Sequence, residues 1–201
     1  MKITDSKTLV ELYGLPSERA VGKSLTHLER HSINYIETSP FCTIATVDSD
    51  GNMDTSPRGG KPGFIKIIDE KTIVIPDAKG NKRLDSLRNI ISSGRIGMLF
   101  LIPGMDETLR LNGSAHISIE PTHLARFTSE VHPPQTCIVV EVEEVFLHCA
   151  KALMRSRLWD VETQIERSSF PSMGKMMKDQ TGLKGRIETH EEMLERYNKE
   201  L

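Results

Sequence analysis

The spacing of apolar positions changes near residue 40, and that change organises the chain. Up to residue 38 the apolar side chains recur at helical intervals. Leu9 and Leu12 lie in a first helix, broken over Gly14 to Pro16. Leu25, Leu28 and Ile36 lie in a second, with Ser24 as the expected N-cap and Pro40 as the stop. From Phe41 the segment FCTIATVD is rich in β-branched residues and leads into DSDGN, a hairpin turn in which Gly51 supplies a positive φ. Asn52 to Ser56 returns as a short strand, and SPRGGKPG reads as a glycine- and proline-rich loop. FIKIID and TIVIP make a second hairpin across Asp69 to Lys71.

Asn81 to Ser93 then carries a helical pattern. Leu84, Leu87, Ile90 and Ile91 share a face, and Gly94 stands just past the end. Arg95 to Ile102 is almost wholly apolar, as expected of a central strand covered on both faces. In TLRLNGSAHISI, Leu109, Leu111, Gly113, Ala115, Ile117 and Ile119 occupy one parity and the polar residues from Thr108 to Ser118 the other. Such alternation predicts a long strand with one buried and one wet face. A short helix follows Pro121. In the last strand, Thr136 to Leu147, Ile138, Val140 and Val142 share one parity while Val145 and Leu147 fall on the other. The slip predicts a β-bulge near Glu143 and Glu144.

Strands and helices do not alternate, which argues against a parallel doubly wound sheet. The pattern predicts a mainly β fold, a small closed or split barrel of six or so antiparallel strands, Greek-key-like, with peripheral helices. Residues 1–38 are expected to pack on the barrel, 39–159 to form it, and 160–201 to be a tail with a terminal helix over Glu188 to Lys199, all within one structural domain.

At 201 residues the chain is long enough for one self-sufficient core. Twenty-six basic against 28 acidic residues leave a net charge of −2, which lacks the basic footprint of a nucleic-acid binder. No apolar run approaches the ~18 residues of a membrane span, and MKITDSKTLVELYG does not resemble a secretory signal. Three widely spaced cysteines fit a reducing compartment better than a disulfide framework. The expectation is a soluble cytoplasmic protein with neither nucleic acid nor membrane as partner.

The stretch KGNKRLDSLRNI is the most informative for chemistry. With Asn81 as N-cap, Lys82 and Arg83 fall in the first turn of a helix, where the macrodipole disfavours cations by roughly 0.3–1 kcal/mol. A bound phosphate would reverse that cost; two side chains splayed into water would equally explain it. In SPRGGKPGF, Arg58 and Lys61 add positive charge among glycines that admit close backbone approach, or the segment is an ordinary connecting loop. Thr108, Arg110 and Asn112 line the wet face of the long strand. Lys151, Arg155 and Trp159 recur at i, i+4 and i+8 along the expected helix after His148.

Other motifs lead nowhere. SERAVGKS lacks the first glycine and the preceding strand of a phosphate-binding loop. His27 and His31 have no third ligand at sensible spacing, so no metal is expected. Cys42 lies in an apolar strand, where an inert thiol is the default.

Taken together, the order helix, hairpin, SPRGGKPGF, FIKIIDEKTIVIP, GNKRLDSL, RIGMLFLIPG, ETLRLNG and a closing strand resembles the pyridoxamine 5′-phosphate oxidase-like family of FMN-binding split barrels over roughly residues 36–159. The resemblance implies that FMN is the cofactor. It implies that Lys82 and Arg83 hold its phosphate with Ser86 one turn along, and that Ser56, Pro57 and Arg58 lie against its ring. Thr108 and Arg110 would supply contacts from the long strand. It also implies a homodimer with flavin sites at the interface, to which His148, Lys151 and Arg155 of a second subunit contribute. The implied activity is an FMN-dependent oxidoreductase acting on a small molecule. The alternative is a non-catalytic carrier of flavin, haem or the deazaflavin F420 on the same barrel. The family's founding enzyme closes its site with a Trp- and Arg-rich C-terminal segment, whereas the chain after Trp159 reads VETQIERSSFPSMGKMMKDQ; pyridoxamine phosphate oxidation is not expected.

Overall fold

The computed structural model describes residues 2–182 and 184–200. Its centre is a seven-stranded antiparallel sheet of β1 (Phe41–Val47), β2 (Met53–Gly59), β3 (Lys66–Asp69), β4 (Thr72–Pro76), β5 (Arg95–Leu101), β6 (Thr108–Ser118) and β7 (Cys137–His148). The strand order is β2-β1-β5-β6-β7-β4-β3. The chain forms seven strands rather than the expected six, and the sheet is split rather than closed. The long return from β4 to β5 places β4 beside β7 and makes a Greek key of β4 to β7.

Around the sheet run α1 (Ser6–Tyr13), α2 (Glu18–Gly22), α3 (Arg30–Thr38), α4 (Asp85–Ser93), α5 (Pro121–Leu124), α6 (Lys151–Ser156), α7 (Met173–Thr181) and α8 (His190–Asn198). The barrel interior is lined by alternate residues, including Cys42 and Ile44 of β1, Ile96, Met98 and Phe100 of β5, and Leu109 and Leu111 of β6. Ile90 of α4 and Ile36 of α3 join this core. The other face of β5, with Gly97, Leu99 and Leu101, is partly buried rather than fully covered.

The parity slip in β7 is a β-bulge. Asn112 pairs with Glu144 while Gly113 pairs with Val142, so Glu143 is the extra residue. Beyond it β7 leaves β4 behind, and Leu25 takes the vacated edge through two hydrogen bonds with Val145, of 3.0 and 2.8 Å. This use of Leu25 corrects the expected N-terminal helix. Its backbone is extended in the bridge, so Ser24 cannot be a cap, and α3 begins at Arg30 behind a Glu29–Ser32 capping box.

A second correction concerns the helix expected from Asn81. Lys82 and Leu84 adopt left-handed φ angles of 62° and 60°, and α4 starts at Asp85 with Leu84 as N-cap. Asn81 Oδ1 accepts from the Arg83 N–H, capping the preceding turn instead. Lys82 and Arg83 therefore lie before the helix, and its first turn carries Asp85, the charge the dipole favours. Ile91 and Leu84, expected on the inner face, are exposed.

The loop expected over SPRGGKPG starts late. Residues 53–59 continue β2, paired with β1 from Val47↔Met53 to Phe41↔Gly59.

Candidate functional site

The register of β1 with β2 sets the first half of the site. Asp54, Ser56 and Arg58 stand opposite Thr46, Ile44 and Cys42, whose side chains are buried in the barrel. Asp54, Ser56 and Arg58 therefore share the inner face at the open end, beneath α4. The Ser86 hydroxyl, 3% exposed, donates to Asp54 Oδ2 at 2.5 Å and lies 3.2 Å from Ser56 Oγ. Ser56 Oγ donates to the same carboxylate oxygen at 3.0 Å. Arg58 Nη2 donates to Ser86 Oγ at 3.4 Å, and its Nη1 to the Pro57 carbonyl at 2.8 Å. Asn89 Nδ2 donates to the buried Thr46 hydroxyl at 3.2 Å and holds α4 on β1.

The Arg58 charge also reaches two groups deeper in. Burial pushes the Cys42 thiol up to about 12, and Arg58 opposes that rise. Burial likewise raises the Asp77 carboxyl, at the exit of β4, and Arg58 again pulls it down. No side chain caps the N-terminus of α4, so its first N–H groups face the cluster without a side-chain acceptor from the cap residue. Arg83 is exposed and its Nε donates to Asp85 Oδ2 at 2.7 Å; Lys82 is exposed in the same turn.

The other expected residues lie elsewhere. In β6 the inner positions are Leu109 and Leu111, so Thr108, Arg110 and Asn112 occupy the opposite face, paired with His148, Phe146 and Glu144. Glu144 accepts from Arg110 Nη2 at 2.9 Å, Asn112 Nδ2 at 2.7 Å and Ser24 Oγ at 2.9 Å. Two cations lie over the Phe146 ring, Arg110 at 4.4 Å and Lys23 at 5.0 Å from its centroid, with the His148 ring 4.9 Å away. Arg110 Nε is shielded from solvent and makes no hydrogen bond. Desolvation first, then the charges of Arg110 and Lys23, hold His148 below the ordinary histidine range.

One chain thus does not bring the eleven expected residues together, and Arg155 is exposed in α6. Ser56, Arg58 and Ser86 meet on the inner face, with Lys82 and Arg83 at its rim. Thr108, Arg110 and His148 gather on the outer face. Pro57 is exposed on that outer side, and Lys151 is exposed at the start of α6. Trp159 lies past the end of α6, its indole donating to the Met105 carbonyl at 2.8 Å, so no cation–aromatic stripe forms there.

Asp54 is the residue that sequence reasoning missed. Its signal was present: in DTSPR, Asp54, Ser56 and Arg58 recur at intervals of two, the period of a strand face. Glu144 and Phe146 were likewise readable only once the bulge had fixed their parity.

Comparison with known proteins agrees with this architecture. Residues 30–149 match a family model described as pyridoxamine 5′-phosphate oxidase. No curated protein matches the chain. Among solved structures, HupZ of Group A Streptococcus is similar at 19% identity and a TM-score of 0.50, over 60% of this chain and 93% of that one. A putative pyridoxamine 5′-phosphate oxidase from Lactobacillus delbrueckii aligns at 18% identity and a TM-score of 0.47, over 61% and 95%. An FMN-binding protein from Syntrophomonas wolfei aligns at 17% and 0.43, over 72% and 94%.

Proposed function

The chain belongs to the pyridoxamine 5′-phosphate oxidase family, and on that premise we propose that it is an FMN-dependent oxidoreductase working as a homodimer on a small molecule. The observation that carries the reading is the α4 N-terminus, free of a side-chain cap beside the half-buried Arg58 guanidinium and the buried Ser86 hydroxyl. A phosphate placed there would meet backbone N–H groups, a helix dipole and cations together. These residues fit the phosphate end of FMN. Arg58 and Ser86 would hold it from inside, and Lys82 and Arg83 from the solvent side.

When bound, FMN supplies the redox step, taking up and passing on electrons at its ring. The protein's part is positional and electrostatic. Asp54 fixes the Ser86 hydroxyl, and Ser86 in turn accepts from Arg58, so the guanidinium is held beneath α4. Arg110 and His148 suit an anionic substrate group, because a desolvated guanidinium nitrogen without an acceptor is costly until a ligand supplies one.

The separation of the two clusters supports the homodimer. Arg110 and His148 face away from Ser86 within one chain, so they reach the same ligand only across an interface. The outer face between them carries Ala45, Leu99 and Leu101, apolar and partly buried, a composition suited to lying against a second subunit.

The test begins with the spectrum of the purified protein and titration with FMN. Binding near one flavin per chain, reduction by NADH or NADPH without oxygen and reoxidation in air support the reading. Failure to bind FMN overturns it, and a bound flavin that stays oxidised with both donors turns the assignment to a carrier.

A further inference from the structure

Resting on the flavin reading above, we infer that Asp54 is a specificity-determining residue. Its carboxylate is an internal competitor for the flavin's phosphate, and it makes FMN an exchanging ligand rather than a resident one.

The hydroxyls nearest the α4 N-terminus are those of Ser56 and Ser86, and both donate to Asp54 Oδ2, at 3.0 and 2.5 Å. The protein's own anion therefore already holds the donors that would otherwise turn to a phosphate. The arrangement is built rather than incidental. Ser86 is buried, Asp54 is partly buried, and β2 brings Ser56 while the first turn of α4 brings Ser86 within reach of one oxygen. The Asp54 charge also acts on Arg83 at the rim. A second carboxylate, Asp85, engages the Arg83 guanidinium directly.

A phosphomonoester such as that of FMN is close to doubly charged at neutral pH. Entering this space, it meets Asp54 at short range in a site partly withdrawn from water, where like charges repel far more than in bulk. It also forgoes the Ser86 hydroxyl unless Asp54 releases it. Arg58 and the backbone N–H groups still attract it, so the result is weakened binding rather than exclusion. Riboflavin has the same ring and ribityl chain without the phosphate and feels none of this competition. The ratio of the two affinities isolates the effect, since any general distortion of the cleft alters both.

The experiment measures dissociation constants of FMN and riboflavin, by quenching of flavin fluorescence, for the intact protein and for Asp54→Asn and Asp54→Ser. The native protein is expected to prefer FMN over riboflavin by less than about tenfold, a difference of about 1.4 kcal/mol. Both variants are expected to raise that preference by roughly tenfold or more while leaving riboflavin affinity unchanged. An unchanged or lowered ratio in the variants overturns the inference and leaves the flavin reading standing. So does a native preference for FMN above about 100-fold, which needs no variant to fold. If neither flavin binds the native protein or the variants, the flavin reading falls and the inference falls with it.

Discussion

Ser86 Oγ donates to Asp54 Oδ2 at 2.5 Å and so ties the first turn of α4 to β2, 32 residues away in sequence. The bond joins a buried hydroxyl to a carboxylate, a charge-assisted pair of the stronger kind. It is also the acceptor end of the chain Arg58–Ser86–Asp54. Ser86→Ala removes a donor from the carboxylate and an acceptor from the guanidinium at once. The expected cost is about 1–3 kcal/mol in unfolding free energy. Urea denaturation with an unchanged midpoint would contradict the pairing.

The sheet was largely legible in the sequence because strand period is a strong signal. The alternation in β6 and the slip in β7 lead directly to the buried face and to the bulge at Glu143. The site was less legible, for two physical reasons. A turn built on left-handed Lys82 and Leu84 breaks the preference of both residue types, so propensity alone starts α4 three residues early. Which face of the sheet Arg110 occupies relative to Arg58 depends on pairing across four strands, and one chain's spacing does not carry that register. Pro57 and Gly59 suggested a loop where β2 is an edge strand, a place that tolerates both residues.

Arg58 carries the charge that moderates the buried Cys42 and the half-buried Asp77. Arg58→Met keeps length and apolar bulk while deleting that charge. The Asp77 carboxyl, already raised by burial, is expected to rise further, because Arg58 is the group pulling it down. Carbon-detected NMR titration of Asp77 reads this directly, and an unmoved titration would mean the two groups do not communicate. Loss of one charged hydrogen bond to phosphate should weaken FMN binding in the same variant by roughly 1.5–3 kcal/mol.

The outer cluster predicts two steps of acid destabilisation. His148 titrates lower in the folded protein than its ordinary 6.5. As pH falls below that value the unfolded chain takes up the proton first, and stability drops until the folded value is passed. Glu144 titrates below its ordinary 4.5, with the Arg110 hydrogen bond the leading cause. Its contribution is present above that value and disappears as pH falls through the folded one. His148→Gln should flatten the first step and spare the second. Melting temperatures across about pH 4 to 8 check this; a variant that keeps the native slope as pH falls below the ordinary histidine value would rule out His148 as the source.

The three thiols should separate cleanly by accessibility. Cys42 and Cys137 are buried, and burial raises both thiols, so neither presents a thiolate to a reagent near neutral pH. Cys149 is exposed. A disulfide reagent added to the native protein is expected to modify one cysteine promptly and the other two only after denaturation. Cys149→Ser should abolish the prompt reaction. Rapid modification of two or three thiols in the native protein would show that Cys42 or Cys137 is open to solvent.

Gly113 tests the bulge that turns β7 away from β4. A Cβ at this position would lie 2.0 Å from the Glu141 carbonyl oxygen and 3.0 Å from its carbon. Those are backbone atoms of the adjacent strand, so no rotamer change can relieve the contact. Gly113→Ala must therefore shift β6 against β7 just where the register changes. The expected loss is about 3 kcal/mol or more, beyond what a single methyl costs in a core that can adjust. The effect should spread past the site itself. Moving Val142 and Glu144 relative to β6 withdraws Glu144 from Arg110 and Asn112 and weakens the edge that Leu25 covers. Amide hydrogen exchange should accordingly rise at Leu25 and Val145 while staying low in β1. A variant as stable as the native protein, with Leu25 still protected, would show that the two strands can part there without cost.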